Sequence, residues 1–430
     1  MIHEILAKLE KTSSWFDIYQ SDSRTTPIEF KNNRLHMIKE RQNSGTGIRL
    51  NRNGRTGFSY TNNTDELGDT ASRAAELSAF GETENFELPG PDLSYPQLEV
   101  KTGASIDLDV EIEKGQVLID TVRNEFPDVD VDLSVSGGSG SRRIINSNGV
   151  DLSDSSSFYS ASLSLTRVDQ TGSRVETWES LTAPHPVSID ALTDRVLENL
   201  RRASQSDHMK SGRVPVFLTH KAFASLLDIL LSGLSAKALY KHVSPYEGSF
   251  GKKLFTDEFT LYDNPLVPDS IYSYSFDDEG IPAEKRAIFE KGTVAGFISD
   301  IKYASLLNSK PSGNASRGYT TLPHSSFSNI DVSPGSVSSD EITAAVQDGI
   351  IVDQFMGLGQ SNTFTGDFSA NLDLAFRIRG GRITGRVKDC MISDNVFKLF
   401  RENLVFSSDR KRVGKALLPA VLMEDVNFSS

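Results

Sequence analysis

Histidine is the commonest zinc ligand in proteins, and two histidines on one helical turn, as in H-E-x-x-H, are a specific sign of a zinc peptidase. The 430-residue chain has seven histidines, and no two of them are close enough in sequence to share a helical turn. They are His3, His36, His185, His208, His220, His242 and His324. A long-range group of His208, His220 and His242 lacks an accompanying glutamate or cysteine motif, so ordinary loop or surface histidines are expected. We therefore predict no catalytic residue and no metal ligand in this chain.

The sequence contains no motif of a serine hydrolase or of a nucleotide-binding site. It contains no G-x-S-x-G elbow, no G-x-x-x-x-G-K-[ST] loop and no G-x-G-x-x-G turn after a strand. The single cysteine, Cys390, has no histidine near it in sequence, so it is expected to be a small, partly buried hydrophobic residue without a role. One cysteine cannot form an intrachain disulfide, which fits a reducing compartment.

Carboxylates cluster in the run Asp277-Asp278-Glu279, directly before Gly280. Oxygen ligands placed before a turn are what a hard cation such as Ca²⁺ prefers. Acidic runs are more often solvated loops, and that is the expectation favoured here.

Two polar segments rich in glycine are the strongest candidates for binding. Glycine beside strand-forming residues lets another backbone approach closely, as a peptide-binding sheet edge requires. Tight turns and bulges need glycine as well, so composition leaves the two interpretations about even. The candidate peptide-cavity residues are Ser312, Gly313, Asn314, Gly357, Gly359, Gln360, Gly366, Asp367 and Phe368.

The elements that would position these segments indicate an α+β protein of three domains. Residues 1–95 combine an amphipathic helix, strands with a hairpin at Asn53-Gly54 and a second helix, and end in a linker rich in proline and glycine. Residues 96–212 continue with a helix, an alternating strand from Val129 to Ser136 that predicts antiparallel sheet, and a further helix. The first two domains are thus mixed α/β.

The third predicted domain, residues 213–430, is mostly antiparallel β. Its main helix is expected at 221–240, where Phe223, Leu226, Leu227 and Leu230 recur at spacings of three and four, as in a buried helix. A short helix near 340–346 would be capped by Ser338 or Ser339.

Charge and hydrophobicity indicate where the protein is located in the cell and which partners it does not bind. The formal net charge of −13, without a long Lys or Arg run, argues against direct binding of nucleic acid. No apolar run reaches the ~18 residues that a membrane span requires, and the first residues lack the pattern of a signal peptide. We expect a cytoplasmic protein with no membrane contact.

The order of several segments resembles the TldD/PmbA family, whose members are also called modulators of DNA gyrase. The segments run from FKNNRLHMIKER and GTGIRLNRNGRTGFS through PVFLTHKAFASLL and FDDEGIPAEKRAIFEKG to SGNASRGY and GLGQSNTFTGDFSANLDLAFRIRGG. They extend over essentially the whole chain. Each segment alone is a weak signal, and their combination in this order is specific.

The resemblance implies one of two branches. In the catalytic TldD branch, the helix after the P-V strand carries H-E-x-x-x-H and a C-terminal Cys completes the zinc site. If Leu226-Leu227 sets the register, the corresponding positions here are Asp228, Ile229 and Gly233, and the cysteine neighbourhood reads Arg412-Val413-Gly414-Lys415. The chain therefore resembles the TldE/PmbA branch, which lacks the metal site, with no cofactor of its own and zinc expected in a TldD-like partner.

By this resemblance the chain would be a subunit of a zinc metallopeptidase complex acting in limited proteolysis of unfolded peptides. It would help to enclose the cavity that admits them, and its partner would be a TldD-like catalytic subunit or a second copy of itself. Two other functions stay open: a homodimeric, non-catalytic peptide-binding or scaffolding protein, and an independent hydrolase with an unrecognised site.

Overall fold

The computed structural model describes residues 2–98, 106–168 and 172–430. Two large sheets dominate it, together with helices that pack on their faces, and the chain is mixed α/β and rich in strands. Among the described residues no helix is both long and apolar enough to cross a membrane.

The first part of the chain builds one side of the N-terminal sheet. The buried Ile5 and Leu9 lie one helical turn apart on the first helix and pack against the sheet together with the second helix. The predicted turn at Asn53-Gly54 joins two strands, and both residues have positive φ angles of 54° and 78°. The elements are α1 (Ile2–Thr12), β1 (Trp15–Lys31), β2 (Arg34–Ile38), β3 (Arg41–Arg52), β4 (Arg55–Thr61) and α2 (Leu67–Leu77).

The next part completes the same sheet. The alternation from Val129 to Ser136 places the valines and Leu133 in the core and the aspartates in solvent, as predicted. β1 pairs antiparallel with β5, so the strand order β4-β3-β1-β5-β6-β7, with β2 on β1, unites strands from both sides of the boundary proposed at residue 95. The elements are α3 (Leu108–Glu125), β5 (Val129–Asn146), β6 (Asp151–Val168), β7 (Arg174–Ala183) and α4 (Asp190–Ala203).

The segment interpreted as a linker is attached to the fold. Phe86 and Leu88 are buried, and Asn146 donates a hydrogen bond of 2.9 Å to the carbonyl oxygen of Pro89. The start of the segment, at Leu88 and Pro89, therefore packs against the fold, whereas residues 91–94 are exposed and the last residues, from 99 onward, lie outside the described part of the chain.

The C-terminal region forms a sheet of 12 strands, mostly antiparallel with three parallel pairs, and a separate pair of short strands. The central path is β12-β11-β10-β15-β21-β9-β16-β17-β18-β8, with β19 and β20 attached to β21. The strands are β8 (Ser206–Asp207), β9 (Gly212–Leu218), β10 (Leu261–Asp263), β11 (Arg286–Glu290), β12 (Thr293–Val294), β13 (Ala315–Ser316), β14 (His324–Ser325), β15 (Ile330–Val332), β16 (Asp348–Met356), β17 (Asp367–Arg379), β18 (Arg382–Val387), β19 (Met391–Asn395), β20 (Leu404–Val413) and β21 (Ala416–Ser429).

The helix predicted over 221–240 is two helices rather than one. It ends after Leu231, and a second short helix begins at Ala236, capped by the Ser235 side chain, which accepts a hydrogen bond from Ala238 N. Gly233 lies in the break, where a Cβ would stand 2.4 Å from Pro245 Cδ. The apolar face was predicted correctly, and the five helices of the region are α5 (His220–Leu231), α6 (Ala236–Tyr240), α7 (Ile301–Leu306), α8 (Ser339–Ala345) and α9 (Val396–Leu399).

Candidate functional site

The side chains of α5 at the positions where the resemblance implies metal ligands do not fit zinc. Asp228 is exposed, Ile229 is buried with an exposed fraction of 4%, and Gly233 lies beyond the end of the helix. Asp228 keeps contact with solvent, but the neighbouring protein atoms partly desolvate its carboxylate and raise its pKa, and the charge of Lys415 opposes this shift. Lys415, from the expected cysteine neighbourhood, thus brings a positive charge where a metal site needs a thiolate. Within the described ranges no group of three or more His, Cys, Asp and Glu is arranged to hold a metal ion.

The segment Ser312-Gly313-Asn314 lies in a buried hydrogen-bond network. Ser312 Oγ donates to Asn314 Oδ1 at 2.7 Å, and Asn314 Nδ2 donates to Asp263 Oδ2 at 2.6 Å. The other oxygen of Asp263 accepts hydrogen bonds from the amide and the hydroxyl of Ser328. Gly313 has a φ of 73°, and a Cβ there would stand 2.6 Å from the Pro282 carbonyl oxygen. These features tie the segment to the interior of the C-terminal region.

The second candidate segment connects β16 to β17 at a different place in the fold. Gly357 has a φ of 87° and precedes a 3-10 turn over Leu358–Gln360, and a Cβ on Gly359 would meet no atom within 4 Å. Gly366 differs, because its φ is 80° and a Cβ would stand 2.4 Å from Phe397 Cδ2. Within the described residues no hydrogen bond joins this segment to Ser312-Gly313-Asn314.

The last two candidate residues of this segment, Asp367 and Phe368, differ in their exposure to solvent. Asp367 is exposed, and hydrogen bonds from Asn395 and then Thr365 lower its pKa. Phe368 is buried in the main core. Two apolar side chains on this connection, Met356 and Phe364, are more than half exposed. The connection therefore offers open backbone at Gly359 between exposed apolar groups.

The acidic run is buried, which overturns its interpretation as a solvated loop. Asp277, Asp278 and Glu279 all have exposed fractions of 6% or less. Asp277 Oδ1 accepts hydrogen bonds from the amides of Glu279 and Ile281, both at 2.9 Å. Burial, with the neighbouring charge of Glu279, raises the pKa of Asp277 to about 7.

The other two carboxylates of the run make ion pairs with the N-terminal sheet. Asp278 pairs with Arg142 on β5, and Glu279 Oε1 lies 2.9 Å from Arg49 Nη2 on β3. Arg49 also pairs with Asp17 on β1, which in turn pairs with Arg317 at 3.0 Å. Burial raises the pKa of Asp17, but Arg317 and Arg49 outweigh it and hold the pKa below its usual value. This buried network joins the N-terminal sheet to the C-terminal region.

A cleft of about 830 Å³ lies between α4 and the C-terminal sheet. Its apolar floor is formed by Phe217, Ile351, Ile383 and Ala420, and charged side chains from β7, α4, α5, α8 and β20 surround it. Within it, Lys221 Nζ lies 2.8 Å from Asp353 Oδ2 and 4.4 Å from the ring centroid of Trp178. Lys221 is buried and surrounded by acceptors, so it is held as an ion pair.

His220 and Cys390 each have a plain local explanation. His220 Nε2 lies 3.4 Å from Asp409 Oδ2, and burial followed by the charge of Lys411 lowers the pKa of the imidazole. Cys390 is buried, and burial raises the pKa of its thiol to about 11, so the thiolate needed for nucleophilic attack is scarce at neutral pH.

The buried ion-pair network was missed by the reasoning from sequence. Asp17, Arg49, Glu279 and Arg317 are separated by up to 300 positions. The acidic run was the only local signal, and its solvated alternative is the commoner one. The charged cleft was missed for the same reason, because its walls come from distant segments of the chain.

Comparison with known proteins covers all three parts of the chain. Residues 16–78 match the PmbA/TldA metallopeptidase domain 1, residues 95–203 the central domain and residues 211–430 the C-terminal domain. A metalloprotease of Methanothermobacter thermautotrophicus is 26% identical over 92% of this chain and 88% of its own length. An uncharacterized protein of Methanocaldococcus jannaschii is 26% identical over 88% of both chains.

A similar fold is found among solved structures. TldE from Thermococcus kodakarensis superposes with a TM-score of 0.92 at 22% identity, and all of both chains is covered. This likeness concerns the fold, since the identity is low. The three domain models, in order and over most of the sequence, identify the protein as a member of the PmbA/TldA metallopeptidase family.

Proposed function

We propose that this chain is a non-catalytic, TldE-like subunit of a zinc metallopeptidase complex that carries out limited proteolysis of unfolded peptides in the cytoplasm. One observation carries the proposal. Where a zinc-binding helix would present two histidines and a glutamate, α5 presents Asp228 and Ile229 and ends before Gly233. A single carboxylate supplies too few ligands to hold zinc tightly, and isoleucine cannot relay a proton.

The zinc and the general base would belong to the partner, a TldD-like catalytic subunit. The bound zinc would lower the pKa of a water molecule and so supply the nucleophile for peptide hydrolysis. This chain would contribute walls to the cavity, and the connection from Met356 to Asp367 is our candidate for contact with the extended peptide. Its support is the open space at Gly359 and the exposed Met356 and Phe364 beside it.

The test compares the chain alone with the chain in its complex. The purified chain is assayed for zinc by elemental analysis and for turnover of an unfolded peptide, alone and after mixing with a zinc-bearing TldD-like chain of the same organism. We expect turnover only in the mixture, and co-purification of the two chains. About one tightly held zinc per chain that survives mild chelation, or turnover by the chain alone in excess chelator, would overturn the proposal.

A further inference from the structure

The cleft between α4 and β20 has charges of both signs, and most of its carboxylates are already occupied. Asp353 accepts from Lys221 at 2.8 Å and from Asn199 at 3.2 Å. Asp409 accepts from the amide and the hydroxyl of Ser339, both at 2.7 Å. Glu179 and Glu198 pair with cations of the same cleft, and Asp340 is the one lining carboxylate without a described partner.

The two cations of β20 that line the cleft, Lys411 and Arg412, lack such compensation, whereas Arg410 pairs with Asp331. Lys411 makes no ion pair or side-chain hydrogen bond with any described residue, and it is exposed. Arg412 donates one hydrogen bond, of 3.2 Å, to the amide oxygen of Asn329, and no described carboxylate lies at ion-pair distance. The permanent charges lining the cleft balance as a whole, so attraction for an anion is local to the β20 wall.

The backbone of that wall is also open. β20 pairs with β21 on one side, and from Arg410 to Val413 no described strand pairs with its other side. Nearer its start, the bridge between Ser407 and Val337 covers this outer edge. An uncovered edge presents N–H and C=O groups that can pair with an added extended chain. The apolar floor at Phe217 and Ile351 lies in the same cleft.

We propose that this cleft binds an extended peptide segment that pairs with the outer edge of β20 at Arg410–Val413 and places an acidic side chain against Lys411. The inference rests on the proposed function, since it names the peptide class that this subunit recruits. Binding here would be separate from hydrolysis, because the proposed function assigns hydrolysis to the zinc of the partner. Its role is to hold an acidic stretch of the unfolded substrate on this subunit.

Binding to the isolated full-length chain tests the inference without the partner. The probe is a short, fluorescein-labelled, unstructured peptide with two glutamates, followed by fluorescence anisotropy. Its counterparts carry glutamine in place of glutamate, or alternate N-methylated backbone amides, which cannot complete a strand ladder. The variant is Lys411→Glu, and Lys310→Glu is the charge-matched control, because Lys310 is exposed and lies outside the cleft.

We expect Lys411→Glu to weaken binding of the acidic peptide about tenfold, with Lys310→Glu unchanged, since one lost charge-assisted contact of ~1.4 kcal/mol gives that ratio. The glutamine and N-methylated peptides should bind weakly to the unaltered chain. Equal binding by Lys411→Glu and Lys310→Glu, or undiminished binding of the N-methylated peptide, would overturn the inference. A complex that still turns over peptide in that case would leave the proposed function standing.

Discussion

Arg49 on β3 and Glu279 lie 230 positions apart in sequence, and their side chains meet at 2.9 Å between Nη2 and Oε1 in the protein interior. Arg49 also binds Asp17, so one guanidinium holds two buried carboxylates. A buried charge that loses its partner pays the cost of desolvation without compensation. We therefore expect this arginine to contribute to the packing of the N-terminal sheet against the C-terminal region, together with the pairs Arg142–Asp278 and Arg317–Asp17.

Replacing Arg49 by methionine should lower the free energy of unfolding by roughly 3–5 kcal/mol, because Glu279 would remain buried without its ion-pair partner and Asp17 would keep only Arg317. Urea denaturation of the variant and the unaltered chain measures the difference. Arg24→Met is the matched control, since its pair with Glu40 is exposed and such pairs contribute about 0–1 kcal/mol. Equal losses in the two variants would contradict the importance of the network.

The pH dependence of stability should reveal Asp277. Its pKa is raised to about 7 in the folded protein, so between about pH 4 and pH 7 the folded state binds more protons at this group than the unfolded state. The stabilisation from the bound proton is complete below the unfolded pKa and is lost as the pH rises through 7. The unaltered chain should therefore lose stability relative to Asp277→Asn over this interval.

Urea midpoints of the two proteins between pH 4 and pH 8 measure this difference. The amide removes the titration, whereas the loss of the acceptor for the Ala315 amide is a cost that does not vary with pH. Other titrating groups contribute to both curves and cancel in the comparison. Parallel curves would show that Asp277 does not titrate in this range.

Shortening a leucine side chain on α5 tests whether the helix is part of the core. Leu230→Ala should lower the free energy of unfolding by roughly 2–5 kcal/mol, because the side chain is fully buried in the main core. Leu77→Ala, at a side chain with an exposed fraction of 49%, should change it by less than about 0.5 kcal/mol. A neutral effect of Leu230→Ala on the urea midpoint would mean that the apolar face is misplaced.

Local patterns in the sequence were sufficient to predict individual strands and helix caps. The alternation after Val129 predicted a half-buried strand, and the serine before α8 predicted a cap, which Ser338 provides together with Glu341. The break at Gly233 was missed, because leucines on either side continue the helical spacing and the close approach of Pro245 is a tertiary contact. The spacing of apolar residues along the sequence does not reveal tertiary contacts of this kind.

The candidate site was less accessible to this reasoning. A glycine in a sequence can mean that another backbone approaches there or that the chain needs a positive φ angle. In the structure Gly359 has free space around it, whereas Gly366 and Gly313 have positive φ angles and close neighbours. Burial of the acidic run depended on arginines from strands far away in sequence, which a search for local motifs does not connect.

Gly359 and Gly366 provide the sharpest test of the connection between β16 and β17. Gly366→Val should lower the melting temperature, since valine would adopt a φ of 80° and its Cβ would overlap the Phe397 ring. Gly359→Val should leave the melting temperature nearly unchanged, because a Cβ there meets no atom within 4 Å and no positive φ is required.

The two variants therefore separate folding from peptide contact. If Gly359 gives a substrate backbone room to approach, Gly359→Val should fold and assemble with the partner normally and still lose turnover of an unfolded peptide, because the branched side chain fills that space. Turnover, complex formation and melting temperature are measured on the same preparations. Full specific activity in an assembled complex carrying Gly359→Val would show that the peptide does not pass over this backbone, and the connection from Met356 to Asp367 would then serve only as a turn.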